Sequence, residues 1–276
     1  MAGTLARAAA GRYGPAMSDA PSHRNPESRW FGDTEVDPTE KTERVQGVFS
    51  SVARRYDLMN DLMSGGVHRL WKAQLIAAIR PHPGETLLDV AGGTGDIAFR
   101  FLDRAGVDST GRGARAIICD LTEGMVAVGR DRAIDRGRIG PILHMVGNAE
   151  SLPVADRSVD VYTISFGLRN VTRIDDALRE ARRVLKPGGR FFCLEFSKVV
   201  LPGFDRAYDL YSRTVIPRMG KVVAKDEDSY RYLVESIRRF PDQPSLAERI
   251  EAAGLERVRW TNLSAGIAAI HTGWRI

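Results

Sequence analysis

One stretch, Leu87-Leu88-Asp89-Val90-Ala91-Gly92-Gly93-Thr94-Gly95-Asp96, constrains the fold of this chain more than any other. Leu87, Leu88 and Val90 are the apolar run of a parallel strand covered on both faces. Gly92, Gly93 and Gly95 let the backbone turn sharply and approach a ligand with no Cβ in the way. From Ile97 to Leu102 the apolar spacing becomes helical, so the turn opens a helix whose first N–H groups face it. Strand, glycine turn and helix N-terminus in this order make a nucleotide-binding turn.

The glycines alone leave the nucleotide open. Gly93-Thr94-Gly95-Asp96-Ile97-Ala98 fits the dinucleotide pattern G-x-G-x-x-A, a signal of low specificity by itself. Asp89 and Asp96 flank the turn and would repel a pyrophosphate. They would attract the sulfonium and free α-amino group of S-adenosylmethionine. Asp120 ends the next strand, Ala116–Cys119, where it can accept both ribose hydroxyls, a role common to both cofactor classes.

Later elements separate the two. Gly147-Asn148-Ala149-Glu150-Ser151-Leu152-Pro153 follows the strand His144–Val146, and a fourth strand runs over Val161–Ser165. An amide or acid at this third strand end meets the adenine amino group in class I methyltransferases, which the ordered set resembles far more than a dehydrogenase. Val184–Arg190 is expected to close a helix through Pro187 and Gly188 and to turn into the strand Phe191–Glu195.

The resemblance then narrows. Val48–Ala53, Tyr56–Ser64 and His68–Lys72 are similar to the ubiquinone/menaquinone C-methyltransferase family. So are Ile164–Thr172, Cys193–Lys198, Ser229–Arg238 and Gly266–His271, which extends the similarity over residues 44 to 276. Leu121-Thr122 departs from the family's usual Ile-Asn after the ribose acid.

This resemblance implies an α/β fold: a doubly wound, mostly parallel seven-stranded sheet of class I methyltransferase (Rossmann-like) type. Residues 1–43 are expected to be a disordered leader and 44–276 a single domain, with a helical cap at 44–80 and a substrate lid at 199–244. Helices are expected over Arg44–Met59, Leu70–Ile79, Met125–Asp135, Asp175–Leu185 and Leu246–Ala253, and an antiparallel strand pair near Glu256–Leu263 and Ile267–His271. The implied cofactor is S-adenosyl-L-methionine, held by Asp89, Gly93, Thr94, Gly95, Asp120, Asn148, Ala149 and Ser165.

The implied reaction is C-methylation of a polyprenylated quinol ring, benzoquinol or naphthoquinol, in ubiquinone or menaquinone biosynthesis. A ring carbon becomes a far better nucleophile when a phenolic proton leaves, so the protein must supply a base or stabilise a phenolate. Arg169 is the leading catalytic candidate, with Asn170 fixing geometry. Guanidinium does not deprotonate at neutral pH, so Arg169 would stabilise phenolate or orient a relaying water; its structural alternative is an ion pair with an acid. His271 is a second candidate base or a structural hydrogen-bonder. Tyr56 and Asp57 in the cap would contact substrate or the methionine amino group, with core packing the alternative for Tyr56.

Composition excludes several classes. Cys119 and Cys193 fall in interior strands with no C-x-x-C or histidine cluster, so neither a disulfide framework nor a metal site is expected. No apolar stretch approaches membrane-spanning length. The formal charge of +5 is compatible with an anionic membrane surface or RNA, but no appended RNA-binding module or N-P-P-[YF] motif of amino-group methylases occurs. The first residues, Met1–Ala16, are rich in Ala, Gly and Arg and faintly resemble a transit peptide, while Met17 offers an alternative start. The expected setting is the bacterial cytoplasm with peripheral attachment to the inner membrane. Expected partners are the polyprenylated quinol, a homodimer mate or quinone-biosynthesis complex, and no nucleic acid.

Overall fold

The strand-turn-helix unit of the glycine turn is one repeat of a larger alternation. The computed structural model describes residues 30–52, 61, 64–138, 140–200 and 227–276. Its elements are β1 (Trp30–Phe31), β2 (Thr34–Glu35), α1 (Pro38–Val52), α2 (His68–Ile79), β3 (Thr86–Val90), α3 (Asp96–Ala105), β4 (Arg115–Asp120) and α4 (Glu123–Asp135). They continue as β5 (Ile142–Val146), β6 (Val159–Ser165), α5 (Ile174–Val184), β7 (Leu185–Phe196), α6 (Glu227–Arg239), α7 (Gln243–Ala252), β8 (Glu256–Leu263) and β9 (Ala268–Trp274).

Seven strands form one sheet in the order β5-β4-β3-β6-β7-β9-β8. The first five run parallel, and β9 inserts antiparallel to both β7 and β8. Successive side chains alternate faces. Leu87, Ile118, Val161 and Leu194 pack in one cluster with Leu75 of α2 and Phe101 of α3, whereas Leu88, Val90, Ile164 and Cys193 pack with Leu178 of α5 and Ile250 of α7. Both faces being covered explains why β3 and β6 read as continuous apolar runs. Cys119 and Cys193 are both buried in interior strands.

Local chemistry sets most element ends. Asp37 Oδ1 accepts from Thr39 N–H at 2.9 Å, capping α1, and Pro38 suits the first helical position. The helix therefore starts before the expected Arg44, and the expected end at Met59 lies outside the described residues. Asp242 caps α7 by accepting from Ser245 N–H at 3.0 Å.

Two expectations need correction. The Pro187-Gly188-Gly189 run does not cap a helix: α5 ends at Val184, and Leu185 is already extended. The run is a bulge within β7, because Val159 pairs with Leu185 but Val161 pairs with Arg190. Gly188 takes φ +79° there and donates to the Arg275 carbonyl at 2.6 Å, so the bend is fixed by the chain's far end.

The leader boundary at residue 43 is also too late. Residues 30–35 form the β1–β2 hairpin, anchored to α6: Phe31 stacks on Tyr232 at 4.3 Å, and Arg239 pairs with Asp33 at 3.0 Å and lies over Trp30. These partners lie about two hundred residues away in sequence, so local polarity gave no sign of them. Of the expected lid, α6 packs over the 3₁₀ turn Leu168–Asn170, while residues 201–226 lie outside the described residues.

Candidate active site

The carboxyl ends of β3, β4, β5 and β6 open onto a cleft of about 710 Å³, lined among others by Ala91, Asp120, Asn148, Ala149, Phe166 and Asn170. It lies where strand order reverses across β3 and β6, the place for ligands in open parallel sheets. Two close approaches shape it. A Cβ on Gly167 would sit 2.4 Å from the Ala91 Cβ, and one on Gly95, which takes φ +86°, would sit 2.7 Å from Ile118 Cδ1. Ala91 and Phe166 themselves hold φ +50° and +58°, left-handed conformations that cost non-glycine residues energy and concentrate at functional sites. Val45, Gln46 and Phe49 of α1 line the same cleft, and Gln46 Nε2 donates to the Leu121 carbonyl at 3.3 Å.

On the β4–β5 side the acceptors are fixed in advance. Asp120 Oδ2 accepts from Gly93 N–H and Oδ1 from Thr122 N–H, both at 2.9 Å. Each oxygen keeps a further lone pair for a ribose hydroxyl. Burial pushes this carboxyl up, and the two backbone donors pull it back. Asn148 Oδ1 accepts from Glu150 N–H at 2.9 Å, setting the amide beside Ala149 at the cleft wall. Thr94, 3% exposed, accepts from Arg132 Nη1 at 2.7 Å.

The β3–β6 side is different. Asp89, 1% exposed, accepts from Thr163 Oγ1 at 2.7 Å through Oδ1, while its Oδ2 is buried with no partner. Ser165 Oγ is likewise buried and unpartnered. Burial pushes the Asp89 carboxyl up to about 7, against the lowering hydrogen bond from Thr163. A buried carboxylate oxygen without a donor costs free energy unless a ligand supplies one. Both orphans line a smaller cavity of about 360 Å³ with Lys72, Gly92, Thr94 and Asp96. A cationic group with N–H donors fits there, and this is what the α-amino end of S-adenosylmethionine offers.

The expected catalytic residues separate. Asn170 lines the main cleft; its Nδ2 lies 3.5 Å from the Phe166 carbonyl and its Oδ1 accepts from Tyr232 Oη at 3.0 Å. Arg169 does not line that cleft. Its Nη1 donates to Glu195 Oε1 at 2.7 Å and to the Phe166 carbonyl at 2.5 Å, and both side chains of the ion pair are 2% exposed. The structural alternative for Arg169 is therefore what the geometry displays.

His271 lies still further off. It continues the row Val90–Ile164–Cys193–His271 on the α5/α7 face, one register row from Asp89 and Thr163 and on the opposite side of the sheet. Its Nε2 is 3.0 Å from the Gln243 carbonyl, and burial lowers its proton affinity. It is placed as a buried neutral hydrogen-bonder, not as a base in the cleft. Tyr56 and Asp57 lie outside the described residues.

Residue-by-residue reading missed Thr163, Tyr232, Glu195 and Lys72. Each acts on a site residue from another element, and only the repeated presence of a polar residue in an otherwise apolar strand or helix stripe marked them. Among the described residues no group of histidine, cysteine or acid side chains could hold a metal ion.

The sheet order, the glycine turn and the orphaned acid beside it define a class I S-adenosylmethionine-dependent methyltransferase. A SAM-dependent methyltransferase from Aquifex aeolicus has the same fold, with TM-score 0.57 and 15% identity over 82% of this chain and 98% of that chain. Within the class, the chain belongs to the ubiE/COQ5 methyltransferase family, whose model matches residues 38–275. It is 57% identical over 251 residues to the ubiquinone/menaquinone biosynthesis C-methyltransferase UbiE of Paracoccus denitrificans (strain Pd 1222), covering 91% of this chain and 98% of that protein. It is 56% identical over 246 residues to the protein of the same name from Dinoroseobacter shibae, covering 89% and 96%.

Proposed function

We propose that this chain is an S-adenosylmethionine-dependent C-methyltransferase acting on the ring of a polyprenylated quinol in ubiquinone or menaquinone biosynthesis. The observation that carries this reading is the 57% identity to a UbiE protein across nearly both whole chains, since it spans the cofactor turn, the Arg169-Asn170 turn and α6 together.

S-adenosylmethionine supplies an electrophilic methyl group on a sulfonium. Asp120 would hold the ribose, Asn148 and Ala149 the adenine edge, and Asp89 the α-ammonium, with Gly93, Thr94, Gly95 and Ser165 forming the turn and wall around them. Asn170, which lines the cleft, would hold a ring hydroxyl. The Phe166 carbonyl accepts from Arg169 and from Asn170, and Tyr232 donates to Asn170, so the amide is held from two sides. Arg169 then acts through Phe166 and Asn170 as a positioning residue. The titratable groups of the described cleft wall are Asp120 and Glu150, and Glu150 is taken up by Thr172 N–H, Arg173 N–H and the Arg173 guanidinium. In this reading the phenolic proton passes to solvent at the open cleft, beside Asn170.

No helix among the described residues is long and apolar enough to cross a membrane. A polyprenyl tail dissolves in the bilayer, so collection of substrate at the cytoplasmic face of the inner membrane, as a monomer, homodimer or quinone-biosynthesis complex, belongs to the same proposal. Vesicles carrying substrate should bind the protein or raise its rate; vesicles that do neither remove the membrane step.

Transfer of labelled methyl to short-tailed benzoquinol and naphthoquinol acceptors, chemically reduced and run in parallel, tests the reaction. Label in either product supports it, and the rate ratio assigns the ring. No label in either, with cofactor still bound, rejects the quinol.

A further inference from the structure

The buried stripe of α2 runs through His68, Trp71, Lys72, Leu75, Ile76 and Ile79. Lysine is out of place in such a stripe: Lys72 is 5% exposed, and burying an ammonium is costly unless it is paired. Its Nζ lies 3.0 Å from Asp96 Oδ2. Yet Asp96 has a second cation, Arg100 Nε at 3.0 Å from Oδ1, and stands at the N-terminus of α3, where the helix itself favours an acid. Two cations and a helix end thus answer one carboxylate. The positive charge of Lys72 exceeds what Asp96 requires.

Lys72 also lines the smaller cavity that holds the free Oδ2 of Asp89 and the free hydroxyl of Ser165. That cavity therefore presents an acid with an unused oxygen beside a buried ammonium that faces both Asp96 and, at longer range, Asp89. An α-amino acid carries the complementary pair, an ammonium and a carboxylate on one carbon. Asp89 answers the first. We infer that Lys72 answers the second: it reads the α-carboxylate of S-adenosylmethionine and makes the site selective for the carboxylated cofactor.

The alternative, that Lys72 only neutralises the acids of the turn, makes an opposite statement about ligands. Removing it would then leave binding of an ammonium ligand unchanged or tighter, with no dependence on a carboxylate. Decarboxylated S-adenosylmethionine separates the two, because it keeps adenosine, sulfonium and ammonium and lacks only the carboxylate.

Equilibrium titration calorimetry of the full chain with both ligands is the test. The wild type should bind S-adenosylmethionine about ten- to a hundredfold more tightly than the decarboxylated ligand, the range for one charge-assisted contact. Lys72→Met should remove most of that preference by weakening S-adenosylmethionine without an equal loss for the decarboxylated ligand. Lys72→Arg should retain part of it, and Lys72→Gln replaces the methionine variant if that one does not fold. Equal wild-type affinities overturn the assignment without any variant. So does an equal loss of both ligands in Lys72→Met, or an unchanged affinity for S-adenosylmethionine. The assignment rests on the cofactor reading, and a folded wild type that binds neither ligand overturns both together.

Discussion

Asp89 on β3 and Glu195 on β7 are two buried acids at the same end of one sheet, 1% and 2% exposed, and they are treated in opposite ways. Both oxygens of Glu195 are used: Oε1 accepts from Arg169 Nη1 and from Phe196 N–H at 2.9 Å, and Oε2 from Arg169 N–H at 3.3 Å. Asp89 has Thr163 on one oxygen and nothing on the other. Burial pushes both carboxyls upward; the Arg169 guanidinium opposes it at Glu195 by direct contact, whereas at Asp89 the Thr163 hydroxyl and the more distant Lys72 charge oppose it. A satisfied buried acid is scaffold, whereas an unsatisfied one is a vacancy for a donor. By the same reasoning Arg169 is engaged in an ion pair away from the cleft, and Asn170 lines it.

The sharpest break of this contrast is Glu195→Gln, which leaves the Arg169 charge buried and unopposed. Urea unfolding should show a loss of about 3–5 kcal/mol. Unchanged stability would mean that the pair does not hold the 3₁₀ turn. Asp89→Asn should act the other way, on binding and not on folding. Cofactor affinity should fall about ten- to a hundredfold while stability holds or rises, because a buried acid has been removed. A variant with lowered stability but normal cofactor affinity would reverse the assignments of the two acids.

Proton linkage offers a gentler test. Asp89, raised to about 7 in the free protein, must ionise to receive an ammonium, so binding displaces its proton below that pH. Affinity should therefore rise about tenfold per pH unit toward 7, level off, and decline above about pH 8 as the cofactor's amino group deprotonates. Asp89→Asn should lack the acid limb; an identical limb in the variant would assign it to another group. The smallest effect is expected from Tyr232→Phe, which deletes the donor to Asn170. About 0.5–1.5 kcal/mol should appear as a lower kcat with cofactor affinity unaltered. A change in cofactor affinity alone would place Tyr232 with the cofactor, not with Asn170.

Much of the cofactor half was legible because its signals are local. Strand, glycine turn and helix follow one another within β3 and α3, and a site acid at each strand end needs only its own strand to be placed. The substrate half was not. Asn170 lines the cleft, but Arg169 turns to Glu195, twenty-six residues on, and His271 falls on the other face because its row is set by pairing with Cys193. Parity along a strand fixes which residues share a face, yet nothing in one strand tells which face will meet the ligand.

The amino-acid sequence alone determined the alternation of strands and helices, the glycine turn, the cofactor class and the family. These follow from backbone conformational limits, apolar periodicity and charge at short range. Only the tertiary structure decided that β9 slips between β7 and β8, that residues 30–35 brace α6, and that Lys72 joins Asp89 in one cavity. Each depends on which elements pack together, a choice made by shared burial of side chains remote in sequence.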